Sequence, residues 1–353
     1  MDRTQTKRIY AGAVPIGEGA PVTVQSMCNT ETSDAEATLN QIFLLEAAGC
    51  DIVRVAVPDM KSAAALGEIC SKSPLPVVAD IHFDYRLALE AVKAGVHKIR
   101  INPGNIGAPE RIKAVAAACR EKKIPIRIGI NGGSLGKKIL AKFGSPSAPA
   151  MAQSARENIE LLNMFDFDDI CLSLKSSDTR LTVDAYRLAA DEFPYPLHLG
   201  VTEAGTSYNG VIRSAVGIGT LLCEGIGDTV RVSLTADPAL EVRAGIAILK
   251  AAGLRRGGPE IISCPGCGRC SYDLIKTAEE VESRLSGLKR DITVAVMGCE
   301  VNGPGEAKSA DYGCACGKLG GIVFRKGEIA ARVPAEKLSD VLVEMIESET
   351  DRE

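Results

Sequence analysis

Between residues 20 and 255, short runs rich in Val and Ile alternate eight times with longer amphipathic segments. The runs are 22–27 (VTVQSM), 52–58 (IVRVAVP), 76–82 (PVVADIH), 98–103 (KIRINP), 126–131 (IRIGIN), 170–176 (ICLSLKS), 197–203 (LHLGVTE) and 229–235 (TVRVSLT). Segments such as SDAEATLNQIFLLEAAG and DPALEVRAGIAILKAAG between them carry helical spacing, with Thr32, Ser33 and Asp34 as candidate caps and Gly49, Gly95 and Gly253 as stops. Near-continuous apolar strands joined by helices predict a parallel sheet covered by helices. Eight such units fit a TIM (β/α)8 barrel, whose usual length is roughly 250 residues. An open doubly wound sheet is the runner-up, but no GxGxxG follows the first strand.

Four of these apolar strands carry an arginine: Arg54, Arg100, Arg127 and Arg231. Side chains alternate along a strand. If the valines flanking Arg54 pack outward against helices, Arg54 points into the lumen, and the same parity applies to the other three. Lys175 joins them from the sixth run. Several cations in a low-dielectric mouth repel one another unless anions stand among them. Asp80 and Glu203, with Asp178 as a further candidate, end neighbouring strands and supply part of the compensation. The surplus predicts a site for a small, multiply charged anion. Arg binds phosphate oxygens bidentately, so a diphosphate fits. Asn102, Asn131, His82 and Ser233 stand at the same strand ends, where they could read hydroxyls. A structural ion-pair network is the competing reading for any single arginine, and His97 and His198 read as structural histidines.

A net charge of −4 argues against a nucleic-acid surface. The polar start MDRTQTKRIYAG resembles no signal peptide, and no run reaches the roughly 18 apolar residues of a membrane helix. A cytoplasmic chain is expected. Residues 1–257 form the expected barrel domain. From residue 258 the pattern changes to a helix (271–286), a strand (ITVAVMG), a loop, a hairpin-like GGIVFRKGEIAARV and a final helix, predicting a small α+β domain over 258–353. The connection 131–150 is long and rich in Gly, Ser and Lys, as lids and binding loops often are.

Of twelve cysteines, six lie in that last domain: Cys264, Cys267, Cys270, Cys299, Cys314 and Cys316. Three uses compete. Structural zinc wants four ligands, which Cys314 and Cys316 would complete. A redox CxxC wants a neighbouring βαβ unit. An iron–sulfur cluster takes a CxxC plus distant thiolates, and CPGCGRC resembles the ferredoxin C-x2-C-x2-C run. Spacing favours a cluster over zinc, with a zinc-stabilised binder of small phosphorylated ligands as the alternative.

SCPGC followed some thirty residues later by VMGCEVNGPGEA resembles the hydroxymethylbutenyl diphosphate synthases, and so do VQSMCNT, RVAVP, ADIHFD, KIRINPGN, RIGINGGSL, SLKSSD, HLGVTEAG and RVSLTADP, in order along nearly the whole chain. The resemblance is to the short, two-domain form. It implies reductive ring opening and dehydration of 2-C-methyl-D-erythritol 2,4-cyclodiphosphate to 4-hydroxy-3-methylbut-2-enyl diphosphate. It further implies a 4Fe–4S cluster on Cys264, Cys267, Cys299 and Glu306, with Glu203 and Glu306 in catalysis. The implied substrate set is Arg54, Asp80, His82, Arg100, Asn102, Arg127, Asn131, Lys175, Arg231 and Ser233. An oxygen donor is held less firmly than a thiolate, so Glu306 is expected to yield to a substrate oxygen. Ferredoxin or flavodoxin is the implied electron donor, and a head-to-tail homodimer the implied assembly. Cys270, Cys314 and Cys316 stand outside the resemblance.

Overall fold

A computed structural model describes residues 2–270, 272–299, 305, 309–317 and 320–350. The chain divides into two compact units, Met1–Arg255 and Arg256–Glu353.

The first unit opens with an antiparallel hairpin, β1 (Ile9–Ala11) and β2 (Val14–Ile16), ahead of the first apolar run. Eight parallel strands follow: β3 (Thr23–Met27), β4 (Ile52–Ala56), β5 (Val77–Asp80), β6 (Lys98–Ile101), β7 (Ile126–Asn131), β8 (Ile170–Lys175), β9 (His198–Leu199) and β10 (Thr229–Val230). Their order is β8-β7-β6-β5-β4-β3-β10-β9, and a bridge between Leu172 and Leu197 joins the two ends into a barrel. All eight strands fall where the apolar runs do. The last two are far shorter than their runs, because the chain leaves the ladder at Gly200 and Arg231. A Cβ on Gly200 would sit 2.6 Å from both Arg231 O and Lys175 Nζ.

Helix caps explain the regular alternation. Asp34, Asp59, Asp84, Asp178 and Asp237 each accept from a backbone N–H in the first turn of the helix that follows. Gly49 and Gly95 follow helix ends at φ 91° and 88°, where a side chain would be strained. The long connection after β7 is interrupted by a helix, Lys137–Phe143, before the helix Ala148–Asn163 begins.

Strand parity sorts the barrel core. Val53, Val55, Val77, Ala79, Ile99, Ile101, Ile126 and Ile128 are buried in the layer between strands and helices. Burying each such Val or Ile side chain stabilises by about 1.5–3 kcal/mol before entropy is counted. Ile52, Val78 and Cys171 face inward and meet Ile9, Ala11 and Ile16 of the hairpin. The hairpin thus closes the N-terminal end of the barrel with apolar side chains.

The second unit is a five-stranded sheet in the order β11 (Pro259–Ser263), β12 (Ile292–Met297), β13 (Tyr312–Gly317), β14 (Gly320–Arg325), β15 (Glu328–Val333). The first three strands are parallel and the rest antiparallel. Helices Leu274–Leu285 and Leu338–Thr350 contribute Val281, Leu285, Leu342 and Ile346 to one core with Val294, Val296, Cys314 and Val323. The α+β composition matches expectation. The strands β11 and β13 correct it: β13 stands where a loop was expected, and it carries Cys314 and Cys316 at 0% and 3% exposure.

Candidate active site

A cavity of about 160 Å³ opens at the C-terminal end of the barrel strands, lined by Arg54, Asp80, His82, Arg100, Arg127, Ile130, Asn131, Ser173, Lys175, Thr202, Arg231 and Ser233. A larger hollow of about 820 Å³ lies beside the hairpin, near His97, Ile124 and Pro125. The smaller one is the candidate, because barrel sites form at the C-terminal face and its lining sets Arg54, Arg100, Arg127, Arg231 and Lys175 around Asp80.

Register sets the arrangement. Arg100 on β6 pairs with Asp80 on β5 and with Arg127 on β7, so these side chains share the lumen. Asp80 accepts from Arg100 Nη1 at 3.2 Å, lies 3.3 Å from His82 Nε2, and stands 3.9 Å from Arg54 Nε. Arg54 also donates to the Met27 thioether at 2.8 and 3.0 Å. Arg100 lies flat on the backbone of Gly129, where a Cβ would come within 2.4 Å of its Nε. Arg231 is held at 3.4 Å by Glu241, whose other oxygen accepts from Leu234 N. Thus Arg54 and Arg100 share one carboxylate, Arg231 leans on a second, and Arg127 and Lys175 have none among the described residues.

The electrostatics follow. Burial opposes ionisation of Asp80, but Arg54, His82 and Arg100 outweigh it and hold the carboxyl well below its usual range. Burial pushes Lys175 well below the usual lysine value, and the four arginines add to the push. Arg54 is pushed down by burial and by its fellow arginines despite Asp80, though a guanidinium keeps its charge at neutral pH. Arg127 is pushed down to about 10 by burial and by Arg100. It is the deepest of the set: it stems from the second residue of β7, is 1% exposed, and its Nε and Nη1 meet no partner. Arg127 therefore belongs to the N-terminal half of its strand, unlike Arg100, the third of the four residues of β6.

The cavity gathers nine of the expected residues: Arg54, Asp80, His82, Arg100, Arg127, Asn131, Lys175, Arg231 and Ser233. Asn102 and Glu203 are not among its lining. Asn102 caps the short helix Pro103–Ile106 by accepting from Gly104 N. Glu203 is exposed, one residue after lining Thr202, with a left-handed φ of 53°. Asp178 is an exposed cap rather than a counter-charge, since its carboxylate accepts from Leu181 N. Thr202 and Ser173 were missed, although strand parity with Lys175 gave Ser173 away. Glu241 was missed because it lies on the helix Pro238–Ala251 rather than on a strand. Lys98 and His198 also face the lumen, fully buried below the cavity.

In the second unit, Cys264 and Cys267 follow β11, and Cys299 follows β12, its parallel neighbour. Gly298 N donates to Cys264 Sγ at 3.1 Å. A hydrogen bond to Cys299 and the charges of Cys267 and Cys264 raise the Arg269 guanidinium above its ordinary pKa. One cation therefore stands among three sulfurs from two neighbouring loops, a donor set that fits a thiolate-held metal group. Glu306 lies outside the described residues. Among the described residues no three His, Cys, Asp or Glu side chains converge as a single metal ion requires. Burial pushes the Cys314 thiol up to about 12.

Residues 6–246 match the GcpE TIM-barrel domain, and residues 260–348 match the GcpE protein C-terminal domain. The chain belongs to the GcpE family. It is 55% identical to a 4-hydroxy-3-methylbut-2-en-1-yl diphosphate synthase (flavodoxin) of Geobacter sulfurreducens over 98% of each chain. Proteins of that name from Clostridium acetobutylicum and Clostridium perfringens are 56% and 55% identical over 99% of this chain and all of theirs. The eight-stranded barrel with its appended domain is thus the GcpE architecture. No described helix is long and apolar enough to cross a membrane.

Proposed function

We propose that the chain forms 4-hydroxy-3-methylbut-2-enyl diphosphate from 2-C-methyl-D-erythritol 2,4-cyclodiphosphate. It takes up two electrons and one proton, releases one water and leaves the diphosphate with one more negative charge, with flavodoxin as the donor. The observation that carries the substrate assignment is the cavity of Arg54, Arg100, Arg127, Arg231 and Lys175 around a single carboxylate among its lining, Asp80. A cyclic diphosphate brings the negative charge that this set lacks. Relatives of matching length carry the product's name.

In this reading the arginines grip the diphosphate oxygens, and His82, Asn131, Thr202 and Ser233 orient the carbon skeleton. Opening the ring breaks a carbon–oxygen bond and leaves new negative charge on the diphosphate. The deep Arg127 and Lys175 stabilise that charge in place, without reorganising. Asp80 keeps Arg54 and Arg100 in their clamping geometry. Asn102 completes the substrate set from the strand end beside it. Glu203, adjoining Thr202 in a strained backbone, carries protons at its carboxyl. Cys264, Cys267, Cys299 and Glu306 hold a 4Fe–4S cluster, which when bound supplies the electrons one at a time. A head-to-tail homodimer in the cytoplasm is part of the same proposal; light scattering of the purified chain checks the mass.

The test is anaerobic turnover. The chain is loaded with iron and sulfide, given reduced flavodoxin and the cyclodiphosphate, and product is followed by mass spectrometry. Product formation that falls at least about a hundredfold in Arg127→Ala, with the iron content unchanged, supports the reading. A chain that takes up stoichiometric zinc and no iron, and makes no product, refutes it in favour of a zinc-stabilised phosphate binder.

A further inference from the structure

Cys270 is a thiol without a role in the proposed ligand set, yet it stands beside one of its members. Cys264, Cys267 and Cys270 are spaced C-x2-C-x2-C along one loop. A Cβ added to Gly298 would lie 3.3 Å from Cys264 Sγ and 3.1 Å from Cys270 Sγ. Both sulfurs therefore pack on the same backbone carbon and are near neighbours. They are held differently. Cys264 Sγ accepts the Gly298 N–H, whereas Cys270 donates its S–H to Tyr272 O at 3.2 Å. Both are partly accessible, so a small oxidant reaches them. The ring they would close contains Gly266, at φ 64°, and Gly268, so backbone freedom is available to bring the sulfurs to bonding distance.

We propose that Cys264 and Cys270 form a reversible disulfide when the chain is without its metal group, with Cys270 as the resolving thiol. The oxidant class is a peroxide. Hydrogen peroxide converts the Cys264 thiolate to a sulfenic acid and leaves as hydroxide. The Cys270 thiol then attacks that sulfur, the S–S bond forms, and water departs. Two electrons pass from two thiols to one peroxide. A small thiol reverses the bond and returns both cysteines. Without a resolving thiol, Cys264 advances to the sulfinic acid, which such reductants do not recover. Cys270 thus protects a ligand position during the interval when the ligand is bare. The inference rests on the proposed function only for the role of Cys264, and the chemistry itself needs no metal.

The experiment uses the full-length, metal-free chain treated with hydrogen peroxide, digested with trypsin without reduction and sequenced by mass spectrometry. Trypsin cuts after Arg269, so the expected product joins residues 257–269 to residues 270–276 through Cys264 and Cys270. In Cys270→Ser, sulfinic acid at Cys264 should rise by about fivefold over the parent chain. The inference is overturned if Cys264 pairs with Cys267 while Cys270 stays open to alkylation. It is equally overturned if Cys264 overoxidises to the same extent in both chains. Iron uptake by the reduced chain is measured separately, so failure of the ligand assignment shows as absent iron rather than as an absent cross-link.

Discussion

Lys98→Met should make the barrel unit more stable, and the amount can be worked out. The Lys98 ammonium is fully buried below the cavity, and its Nζ meets no hydrogen-bond partner among the described residues. Burial is the main cause that pushes it down to about 8, opposed by Cys171 and reinforced by Arg127 and Arg54. The usual lysine value is near 10.5. At about 1.36 kcal/mol per pKa unit, keeping the proton on Lys98 at neutral pH costs the folded chain about 3 kcal/mol. The sign is fixed by linkage. A depressed lysine pKa means the folded chain binds fewer protons than the unfolded chain between pH 8 and 10.5. The penalty is complete below that window and fades as the pH rises through it. Met has nearly the same length and no charge to desolvate. We expect a gain of about 3 kcal/mol at pH 7 that disappears above about pH 10.5. Urea unfolding of the metal-free chain, followed by circular dichroism at pH 7 and again near pH 10.5, reads both. The same change removes a cation beneath the clamp. One unit charge about 10 Å away at an effective dielectric near 20 is worth roughly 1.7 kcal/mol, so pyrophosphate should bind roughly tenfold more weakly. A Lys98→Met chain that is less stable at pH 7, or equally shifted at both pH values, would refute the reasoning.

Asp80→Asn removes the carboxylate shared by Arg54 and Arg100, at a cost of about 3–5 kcal/mol, and pyrophosphate should raise its melting temperature more than that of the parent. Because the folded Asp80 carboxyl is held low, its contribution is complete at neutral pH and is lost on acidification below about pH 4, a loss absent from the Asn variant. Gly129→Ala drives a Cβ into the Arg100 guanidinium, so pyrophosphate affinity should fall about tenfold while iron content holds; unchanged affinity would show that Arg100 binds no phosphate. Burial disfavours the charge on Lys175, so binding a dianion should take up protons and weaken as pH rises; calorimetry in buffers of different ionisation enthalpy detects this, and zero uptake contradicts it.

Much of the barrel was legible in the chain because two local rules agree along it. Apolar runs with flanking caps mark where strands and helices stand, and the two-residue period decides which side chains face inward. Arg54, Arg100, Arg127 and Arg231 could therefore be placed in one lumen before any coordinates. The second unit was harder to read, since β13 is a Gly- and Cys-rich strand that pairs in parallel with β12 as well as with its neighbour β14. Nothing local marks YGCACG as buried sheet. The hairpin Ile9–Ile16 escaped for a similar reason: its role as a plug depends on Ile52, Val78 and Cys171, far along the sequence.

Depth and partnership belong to the tertiary structure alone. Sequence parity sends both Asp80 and Arg127 inward, but only the closed barrel makes Asp80 serve two arginines and leaves Arg127 with none. Glu241 meets Arg231 from a helix, and Asp178, at a strand end, turns away to cap one. Periodicity fixes a direction for each side chain. Which charges meet is set by strand register and shear, which depend on every strand at once.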